Sequence, residues 1–439
     1  MGERRTMERA LRIRIVRLTS RNVCETAEEL REKAGLEPFV RRVAEKIVLD
    51  VKKHGDSALR RWSQRLDGAR LLRIVATKRE MRVASAKVSS EEMRALRFVA
   101  EQLRAQTMQD LRMIRRSTSL RRGVRISRVF RPFDSVGCYV PGGRVAYPSS
   151  LIMSAVLAKA AGVARIVVCS PPLPDGTLNP LVAGAAILCD VDEVCKVGGA
   201  QAIAAMAYGT ESIRPVDKIV GPGGPYVLAA KQIVSNNVAI DLPAGPTELL
   251  IVAYGKFDEV FVARDLAAQA EHSSWSICGV VTDSASNARR IISALSRVLA
   301  EGADREIARK ALERTFFVCT TKNLKDAVKF ANAFAPEHVQ LMGSAQKIAR
   351  DIKTCGLLLV GDYSPSAVSD YSAGSNHILP TGGLARSYSG LSVWDFVRRA
   401  EIVSCTRSSL RSIGPPAIVL ARAEGLENHA LAVLERLKN

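Results

Sequence analysis

The sequence predicts an α/β fold in which two similar parallel-sheet units follow one another along the chain. Strand, glycine-rich turn and helix alternate through residues 135–234, and a second alternation of strands and helices covers residues 249–360. The segments outside these two series place apolar residues at the three-to-four spacing of amphipathic helices. Regular succession of strands and helices is typical of parallel sheets that are covered by helices.

The N-terminal part of the chain is predicted to be largely helical. Residues 1–20 form a basic arm, expected to be helical, whose few apolar residues cannot fold alone. Apolar residues then recur at helical spacing through residues 25–109, and a further helical run covers residues 91–114. Alternation in residues 124–129 predicts a strand before the first α/β series.

The two α/β series supply the remaining predicted elements. In the first, the strands are 136–140, 165–169, 193–197 and 217–220, and the helices are 150–161, 181–188, 201–208 and 226–234. In the second, the strands are 249–253, 278–282, 316–319, 338–341 and 357–360, and the helices are 258–271, 285–299 and 324–334. From Ser392 the chain is predicted to be helical to its end. Glycine turns follow several strands of the first series, at the edge where such sheets bind ligands.

The net charge of +20 is distributed unevenly over the 439 residues. Residues 1–131 carry 34 Lys and Arg against 16 Asp and Glu, and a nucleic-acid surface is one interpretation of this excess. The basic residues, however, alternate with acidic ones at helical spacing, and few aromatic residues accompany them. This pattern favours solvated helix faces and argues against a nucleic-acid partner.

The lengths of the apolar runs and the positions of the cysteines argue against a membrane protein and against a disulfide-rich secreted protein. No run approaches about eighteen apolar residues, the length that crosses a bilayer, and no apolar leader with a cleavage site precedes the fold. The nine cysteines form no C-x-x-C pair and mostly lie in apolar runs, which favours reduced, buried thiols over a disulfide framework or a zinc knuckle. We therefore expect a soluble, cytoplasmic protein without a membrane partner.

Histidine is scarce, and most of the five histidines lie beside carboxylates or glycines. Such groupings are candidates for metal or acid–base sites. Gln269 and His272 are three residues apart on a predicted helix, about 60° around its axis, and therefore point the same way. A helix cap or an ordinary surface role remains the alternative for this pair.

Two further polar segments lie in the second series. Glu337 and His338 begin a predicted strand, where neighbours point to opposite faces, so both can meet one substrate only if the site wraps around the strand's end. Glu337 would then activate water and His338 would move a proton. Asp370 and His377 flank a loop too polar for a core, and both residue types can bind metal or substrate. A surface turn remains the alternative for this loop.

Two other features are weaker. Glu424 and His429 are five residues apart, about 140° around an unbroken helix, and would diverge unless Gly425 breaks it. The alternative is a solvated C-terminal helix. The turn that begins at Gly221 comes closest to a dinucleotide-binding fingerprint but lacks its third glycine, so no Rossmann fingerprint is present.

Taken together, these stretches resemble the histidinol dehydrogenase family over residues 22–429. Seven motifs occur in the family's order, at residues 139–143, 197–204, 241–248, 269–272, 335–338, 370–381 and 423–429. The resemblance implies two successive NAD-dependent oxidations of L-histidinol, through a bound aldehyde, to L-histidine. It implies a zinc ion that orients the imidazole and amine of the substrate, and a homodimer with shared active sites.

The resemblance also implies roles for individual residues. The zinc ligands are Gln269, His272 and Asp370 of one subunit, with His429 of the partner subunit. His338 matches the general base, and Glu337 matches the residue that activates the water for aldehyde hydration. The substrate-contacting positions are Thr247, Gln269, His272, His338, Asp370, His377, Glu424 and His429. Tyr139 and Gln201 match positions near the nicotinamide cofactor, and Gly224 stands where the family usually has an asparagine.

Element order and resemblance together divide the chain into four parts. These are an N-terminal arm (1–20), a discontinuous first α/β domain (21–134 and 249–391), a second, nucleotide-binding α/β domain (135–248) and a small C-terminal helical domain (392–439). The two α/β domains are expected to be incomplete Rossmann-like units.

Three other functions stay open from the residues alone. A related zinc- and NAD-dependent dehydrogenase could oxidise another small polar alcohol, although Glu424 and His377 suit a cationic amine and an imidazole. A basic nucleic-acid binder using residues 1–131 would bind with steep salt dependence and form no NADH from histidinol. A zinc hydrolase would use Glu337 and the metal to activate water, and would cleave esters or amides without NAD.

Overall fold

The computed structural model describes residues 13, 15–32, 38–114, 117–121, 123–142, 145–242, 245–301 and 305–438. Most of the predicted N-terminal arm, residues 1–12 and 14, lies outside the described residues. Gly143, Pro243 and Ala244 of the quoted motifs also lie outside them. The described residues form three sheets and fifteen α-helices.

The strands, in chain order, are β1 (Ile15–Arg17), β2 (Ser117–Arg121), β3 (Val124–Pro132), β4 (Ser135–Tyr139), β5 (Arg165–Cys169), β6 (Glu193–Cys195), β7 (Lys218–Val220), β8 (Ala239–Ile240), β9 (Glu248–Tyr254), β10 (Ile277–Thr282), β11 (Phe317–Thr320), β12 (His338–Gly343), β13 (Leu357–Val360) and β14 (Val397–Cys405). The helices are α1 (Val23–Glu32), α2 (Pro38–Leu66), α3 (Lys78–Ser85), α4 (Ser90–Met113), α5 (Pro148–Ala161), α6 (Pro180–Leu188), α7 (Gly199–Tyr208), α8 (Pro225–Val234), α9 (Glu259–Ala270), α10 (Ala285–Glu301), α11 (Arg305–Thr315), α12 (Leu324–Phe334), α13 (Ser366–Tyr371), α14 (Arg407–Ala423) and α15 (Glu427–Lys438).

The first sheet has six parallel strands in the order β1-β11-β10-β9-β12-β13. Its central strands β9 and β10 are buried along their whole length, as continuous apolar runs in parallel sheets usually are. Helices α9, α10 and α11 cover one face, and α1, α12 and the 3₁₀ turn Ser344–Asp351 cover the other.

The second sheet has five parallel strands in the order β6-β5-β4-β7-β8. Helices α4, α5 and α6 pack on one face, and α2, α7 and α8 pack on the other. Two helix-covered parallel sheets confirm the predicted α/β class. Our domain division grouped residues 21–134 with the first sheet, whereas α2, α3 and α4 contact the second sheet and its helices. These helices bury their apolar faces on the small-residue helices α5 to α8, so the division of the chain differs there from the packing.

The N-terminal segment is extended where we predicted a helix. Ile15–Arg17 forms β1 and pairs with the edge strand β11. Ile13 and Ile15 pack on one face of the sheet and Val16 on the other, which is the two-residue period of a strand. A helix here would leave these β-branched side chains without that double contact, so the prediction was wrong for this segment.

The C-terminal segment was also predicted to be helical throughout, and its first part is not. A 3₁₀ turn, Val393–Phe396, leads into β14, which pairs with β3 in an antiparallel sheet of the order β14-β3-β2. Eight of the nine β14 residues are exposed, so the strand has no buried alternation that its sequence could reveal. Backbone pairing with β3 stabilises β14 instead, and α14 and α15 follow as predicted.

Two sequence expectations on burial can be compared with the structure. All nine cysteines are free, and six of them are buried, which agrees with the predicted reduced thiols. Within the ranges that the structure describes, no helix combines the length and the apolar character needed to cross a bilayer.

A buried ion pair holds the glycine turn that follows β7. The Lys231 ammonium contacts the Asp241 carboxylate and donates to the carbonyls of Gly221 (3.0 Å) and Leu242 (3.1 Å). The second Asp241 oxygen accepts from the Gly221 N–H at 2.8 Å. Gly221 has φ +120, and a Cβ there would overlap the Tyr139 carbonyl, so only glycine fits. The pair therefore fixes the turn and the start of the loop towards β9.

Removing one partner of this pair should destabilise the protein strongly. Lys231→Met leaves the Asp241 carboxylate buried and uncompensated, so we expect the free energy of unfolding to fall by about 3–5 kcal/mol in denaturant titrations. The matched control is Lys310→Met, which breaks the exposed Lys310–Glu306 pair and should cost less than about 1 kcal/mol. Equal losses in both variants would contradict this account of Lys231.

Candidate active site

A cavity of about 290 Å³ lies between the two parallel sheets. The second sheet contributes the turns at the carboxyl ends of β4, β7 and β8, including Pro141, Gly224 and Gly245. The first sheet contributes residues at the amino ends of its strands. Six predicted site residues line this cavity together, namely Thr247, His272, Glu337, His338, Asp370 and His377. Residues that are 130 positions apart in sequence thus converge on one space.

Glu337 is held by hydrogen bonds at the start of β12. Ala335 ends α12 in the left-handed conformation (φ 47), and Pro336 then directs the chain into the strand. The Glu337 carboxylate accepts from the Thr247 hydroxyl (2.5 Å) and from the Glu248 N–H (2.8 Å). Since Glu337 precedes the first strand residue, it and His338 both reach the cavity, as the sequence required of a shared site.

His338 is buried among carboxylates. Its Nδ1 lies 3.1 Å from the Glu248 carbonyl oxygen and 3.5 Å from the Glu337 carboxylate. Its Nε2 lies 3.8 Å from the Asp370 carboxylate and has no hydrogen-bond partner among the described residues. Burial lowers the pKa of His338, but Glu337 and then Asp370 raise it, and the balance is a pKa of about 9. The free Nε2 is the nitrogen available for proton transfer.

Gln269 lies in the last turn of α9 and does not line the cavity, whereas His272 follows the end of this helix and does line it. Gln269 is buried, and its amide N–H donates to the Thr247 hydroxyl. His272 Nδ1 lies 3.1 Å from the Ala268 carbonyl, so a proton on Nδ1 leaves Nε2 free for a ligand. Because α9 ends at Ala270, the two residues do not share one helix as we predicted.

Asp370 and His377 meet through the loop that follows α13. His377 Nδ1 lies 2.8 Å from the Asp370 carbonyl, and its Nε2 lies 3.1 Å from the Ser150 hydroxyl at the start of α5. Burial lowers the pKa of His377, which favours its neutral form. The loop forms part of the cavity wall and is therefore not a simple surface turn.

The donor set suits a metal ion in part. Gln269 Oε1 is buried and has no hydrogen-bond partner among the described residues, a state that a bound cation would relieve. His272 and Asp370 line the same cavity and offer ligand types that zinc accepts. Across the described ranges, no three His, Cys, Asp or Glu side chains lie close enough together to hold a metal. Within one chain, therefore, these residues offer ligand types that suit a cation but form no complete metal site among the described residues.

Glu424 and His429 do not reach the cavity of their own chain. Gly425 (φ 74) separates α14 from α15, as predicted, and both side chains lie on exposed parts of this helix pair. The same pair exposes several apolar side chains, namely Val419, Leu420, Leu426 and Leu431. Exposed apolar residues that cluster in this way are typical of interaction surfaces.

Tyr139 and Gln201 lie at the carboxyl edge of the second sheet, and neither lines the cavity. The Tyr139 hydroxyl accepts from the Gly199 N–H at 3.0 Å. Gln201 is 1% exposed, and neither atom of its amide has a partner among the described residues. Gly224 does line the cavity, and a Cβ added there would meet nothing within 4 Å.

Sequence reasoning assigned no role to Glu248, which the structure places at the centre of the site. Its N–H, its carbonyl and its carboxylate all contact Glu337 or His338. A glutamate that opens an otherwise apolar, buried strand was the signal available in the sequence. Its partner Arg31 gave no local signal, since it lies 217 residues away.

The chain is similar to known proteins over nearly its whole length. A family described as histidinol dehydrogenase matches residues 30–437. Histidinol dehydrogenase of Gluconobacter oxydans (strain 621H) is 42% identical over 401 residues, covering 89% of this chain and 91% of the relative. That of Methanosarcina barkeri (strain Fusaro) is 38% identical over 421 residues, covering 96% and 97%. A crystal structure of histidinol dehydrogenase from Elizabethkingia anophelis superposes with a TM-score of 0.88 at 32% identity, covering 96% of this chain and 97% of that chain.

The carboxylates around His338 should raise the pKa that is measured for this residue. In chelator-treated protein we expect an NMR-detected pKa of about 9 for His338, and Glu337→Gln should lower it towards the ordinary value of 6.5. Because the folded pKa is the higher one, this contribution to stability is complete below pH 6.5 and is lost as the pH rises through about 9. The signal is assigned by its absence in His338→Gln, and a wild-type pKa at or below 6.5 would contradict the expectation.

Proposed function

Because this chain belongs to the histidinol dehydrogenase family, NAD-dependent oxidoreductases of histidine biosynthesis, we propose that it oxidises L-histidinol to L-histidine in two NAD-linked steps at a zinc-containing site. The observation that carries the proposal is the convergence of Thr247, His272, Glu337, His338, Asp370 and His377 on one cavity. Steady-state NADH formation from L-histidinol, lost on chelation and restored by zinc, tests it. The same assay with other small polar alcohols tests the related alternative.

His338 acts as the general base in this proposal. The Glu248 carbonyl holds the Nδ1–H, so Nε2 is the nitrogen that takes the proton from the substrate hydroxyl as the hydride leaves the carbinol carbon. NAD, the co-substrate, accepts the hydride in each step. The first step yields the aldehyde, L-histidinal, which stays in the cavity.

Glu337 serves the second oxidation. The Thr247 hydroxyl and the Glu248 N–H fix one of its oxygens, which leaves the carboxylate able to orient a water molecule towards the aldehyde carbon. Hydration gives a gem-diol whose carbon again carries a hydride to donate. After His338 has released the first proton to solvent, it accepts a hydroxyl proton of the gem-diol as the second hydride passes to NAD, and the carboxylic acid that forms ionises to the carboxylate.

Gln269, His272 and Asp370 would hold the zinc ion, with His429 of the partner subunit as fourth ligand. When bound, zinc would orient the imidazole and amine of the substrate and offset the carboxylates that raise the pKa of His338. Thr247 and His377, with Glu424 of the partner subunit, would contact the substrate. Tyr139 and Gln201 would lie near the nicotinamide.

A homodimer with shared sites follows from the same arrangement. The exposed apolar residues of α14 and α15 support a helix pair that packs on a second copy. Such packing would bring Glu424 and His429 to a cavity that lacks a fourth ligand of its own. Nine free cysteines support a reducing, cytoplasmic location.

Replacing Glu337 should separate the two oxidations. In Glu337→Gln we expect steady-state turnover of histidinol to fall by about 10²-fold or more, because water is no longer directed onto the aldehyde. The first hydride transfer should suffer less, so a rapid-mixing experiment should give a burst of one NADH per site before a slow phase. The control is Glu259→Gln, because this half-buried glutamate at the start of α9 pairs with Arg290 and does not line the cavity. Equal slowing of both phases would argue against the water-activating role.

Mixed dimers should reveal shared sites. His429→Ala and Gln269→Ala subunits are each expected to be inactive and zinc-poor alone. A heterodimer would contain one intact site, so a statistical mixture should recover about a quarter of the wild-type activity. Zinc content should rise in parallel. No recovery in confirmed heterodimers would contradict sharing of His429 between subunits.

A further inference from the structure

We propose that Arg31, acting through Glu248, is a positioning residue for Glu337 and His338, so that the N-terminal helix α1 is part of the catalytic apparatus. The inference rests on the proposed oxidation at this cavity, since it names what holds the acid–base pair in place. Arg31 itself touches neither the cavity nor the reacting groups, and its effect would reach them through one buried carboxylate.

Glu248 contacts the acid–base pair at three points. Its N–H donates to the Glu337 carboxylate at 2.8 Å, and its carboxylate accepts from the Glu337 N–H at 3.2 Å. Its carbonyl oxygen lies 3.1 Å from His338 Nδ1. The tautomer of His338 and the direction of the Glu337 carboxylate therefore both depend on where Glu248 lies.

The Glu248 side chain needs a cation because it is almost completely buried. Its side chain is 1% exposed. Its other oxygen accepts from the Gly382 N–H at 2.9 Å and from the Arg31 guanidinium at 3.2 Å. Burial raises the pKa of Glu248, and Arg31 opposes this rise. No other cationic side chain contacts Glu248 within the described part of the chain.

Arg31 also joins the segments around Glu248. Its guanidinium stacks on Phe334, 4.3 Å from the ring centroid, at the end of α12 just before the turn into Glu337. On its other side lies Gly383, where an added Cβ would come within 3.0–3.1 Å of the guanidinium. One cation thus contacts the start of β9, the end of α12 and the loop after Thr381. A shorter or neutral side chain at position 31 would lose the contacts with these three segments.

The site thereby depends on a helix more than 200 residues away from it in sequence. A purely structural role for Arg31 would lower stability and leave turnover per folded molecule unchanged. A positioning role would lower kcat and leave the binding of substrate nearly unchanged, because the residues that contact the substrate remain. This difference makes the two roles separable by experiment.

The test compares Arg31→Met, Arg31→Lys and Arg386→Met in the full chain, with zinc, NAD and L-histidinol. For Arg31→Met we expect kcat to fall by about 10–100-fold with KM for histidinol within about threefold of wild type, as for small misplacements of catalytic groups. Arg31→Lys should recover part of kcat, since it keeps the charge but not the planar fork. Arg386→Met is the matched control, because Arg386 contacts the Ala333 carbonyl near the same helix end and does not contact Glu248. Wild-type kcat in Arg31→Met would overturn the proposal.

Hydrogen–deuterium exchange gives a measurement that does not depend on activity. Peptides that contain Glu337 and Gly382 should exchange faster in Arg31→Met and not in Arg386→Met, because their N–H groups donate to the Glu248 carboxylate that Arg31 contacts. The Glu248 N–H donates to the Glu337 carboxylate and should follow through the displacement of Glu337. Unchanged exchange would also overturn the proposal. If wild-type protein forms no NADH from histidinol, the proposed function fails, and the exchange result alone decides the role of Arg31.

If Arg31→Met does not fold, a second variant, Glu248→Gln, tests the same contact. Glu248→Gln keeps the shape of the side chain and removes its charge, so it should lose kcat to a similar extent. Adding Arg31→Lys to Glu248→Gln should cost little more, because two residues that act as a unit are not additive. Full additivity of the two effects would contradict the coupling.

Discussion

The parallel pairing of β9 with β12 is the constraint on which the rest of the site depends. His338 lies opposite Leu249, and this register places Glu248 beside Glu337 at the amino ends of both strands. Alternate β9 residues pack into the apolar clusters on the two faces of the sheet, so a slip by one residue would exchange every buried side chain between faces. Burial on both faces therefore fixes the positions of Glu337 and His338 independently of their polar contacts.

The cavity uses opposite edges of the two sheets. The second sheet meets it with carboxyl ends, where open α/β sheets ordinarily bind ligands. The first sheet meets it with amino ends, so Thr247, His272 and Glu337 all lie just before strands or at their start. Proton-transfer groups thus come from one sheet and glycine turns from the other. In the proposed function, the proton-transfer groups and the turns that would receive the co-substrate therefore belong to different parts of the chain.

The sequence predicted those parts that have a local signal. Buried strands and small-residue helices show the apolar spacing of their element type and are bounded by Gly or Pro residues. Most of these elements were predicted within a few residues of their observed bounds. Four strands were missed: the short strands β2 and β8, and the strands β1 and β14, each of which is stabilised by pairing with a strand far away in sequence. Five of the predicted residues that line the cavity lie in motifs that are polar where a core would be apolar, namely His272, Glu337, His338, Asp370 and His377, whereas Thr247 was named from the family resemblance alone. Glu248 was missed because its role comes from the register with β12, and Arg31 was missed because it meets Glu248 only in the folded chain.

The carboxylates around His338 give the site an excess of negative formal charge. The carboxylates of Glu337 and Asp370 lie 3.5 and 3.8 Å from the ring nitrogens of His338, and the Glu248 carboxylate accepts from the Glu337 N–H. Arg31 is the one permanent cation that contacts any of these three carboxylates in the described part of the chain. With Arg31 alone the group keeps two negative charges, and a protonated His338, as its raised pKa requires, removes only one. A divalent cation near Asp370 would balance the remaining two and leave His338 neutral. A buried cluster tends towards neutrality, and a base must be unprotonated to accept a proton. In the proposed function, a metal ion and His338 as general base would therefore be coupled through charge, even where they share no bond.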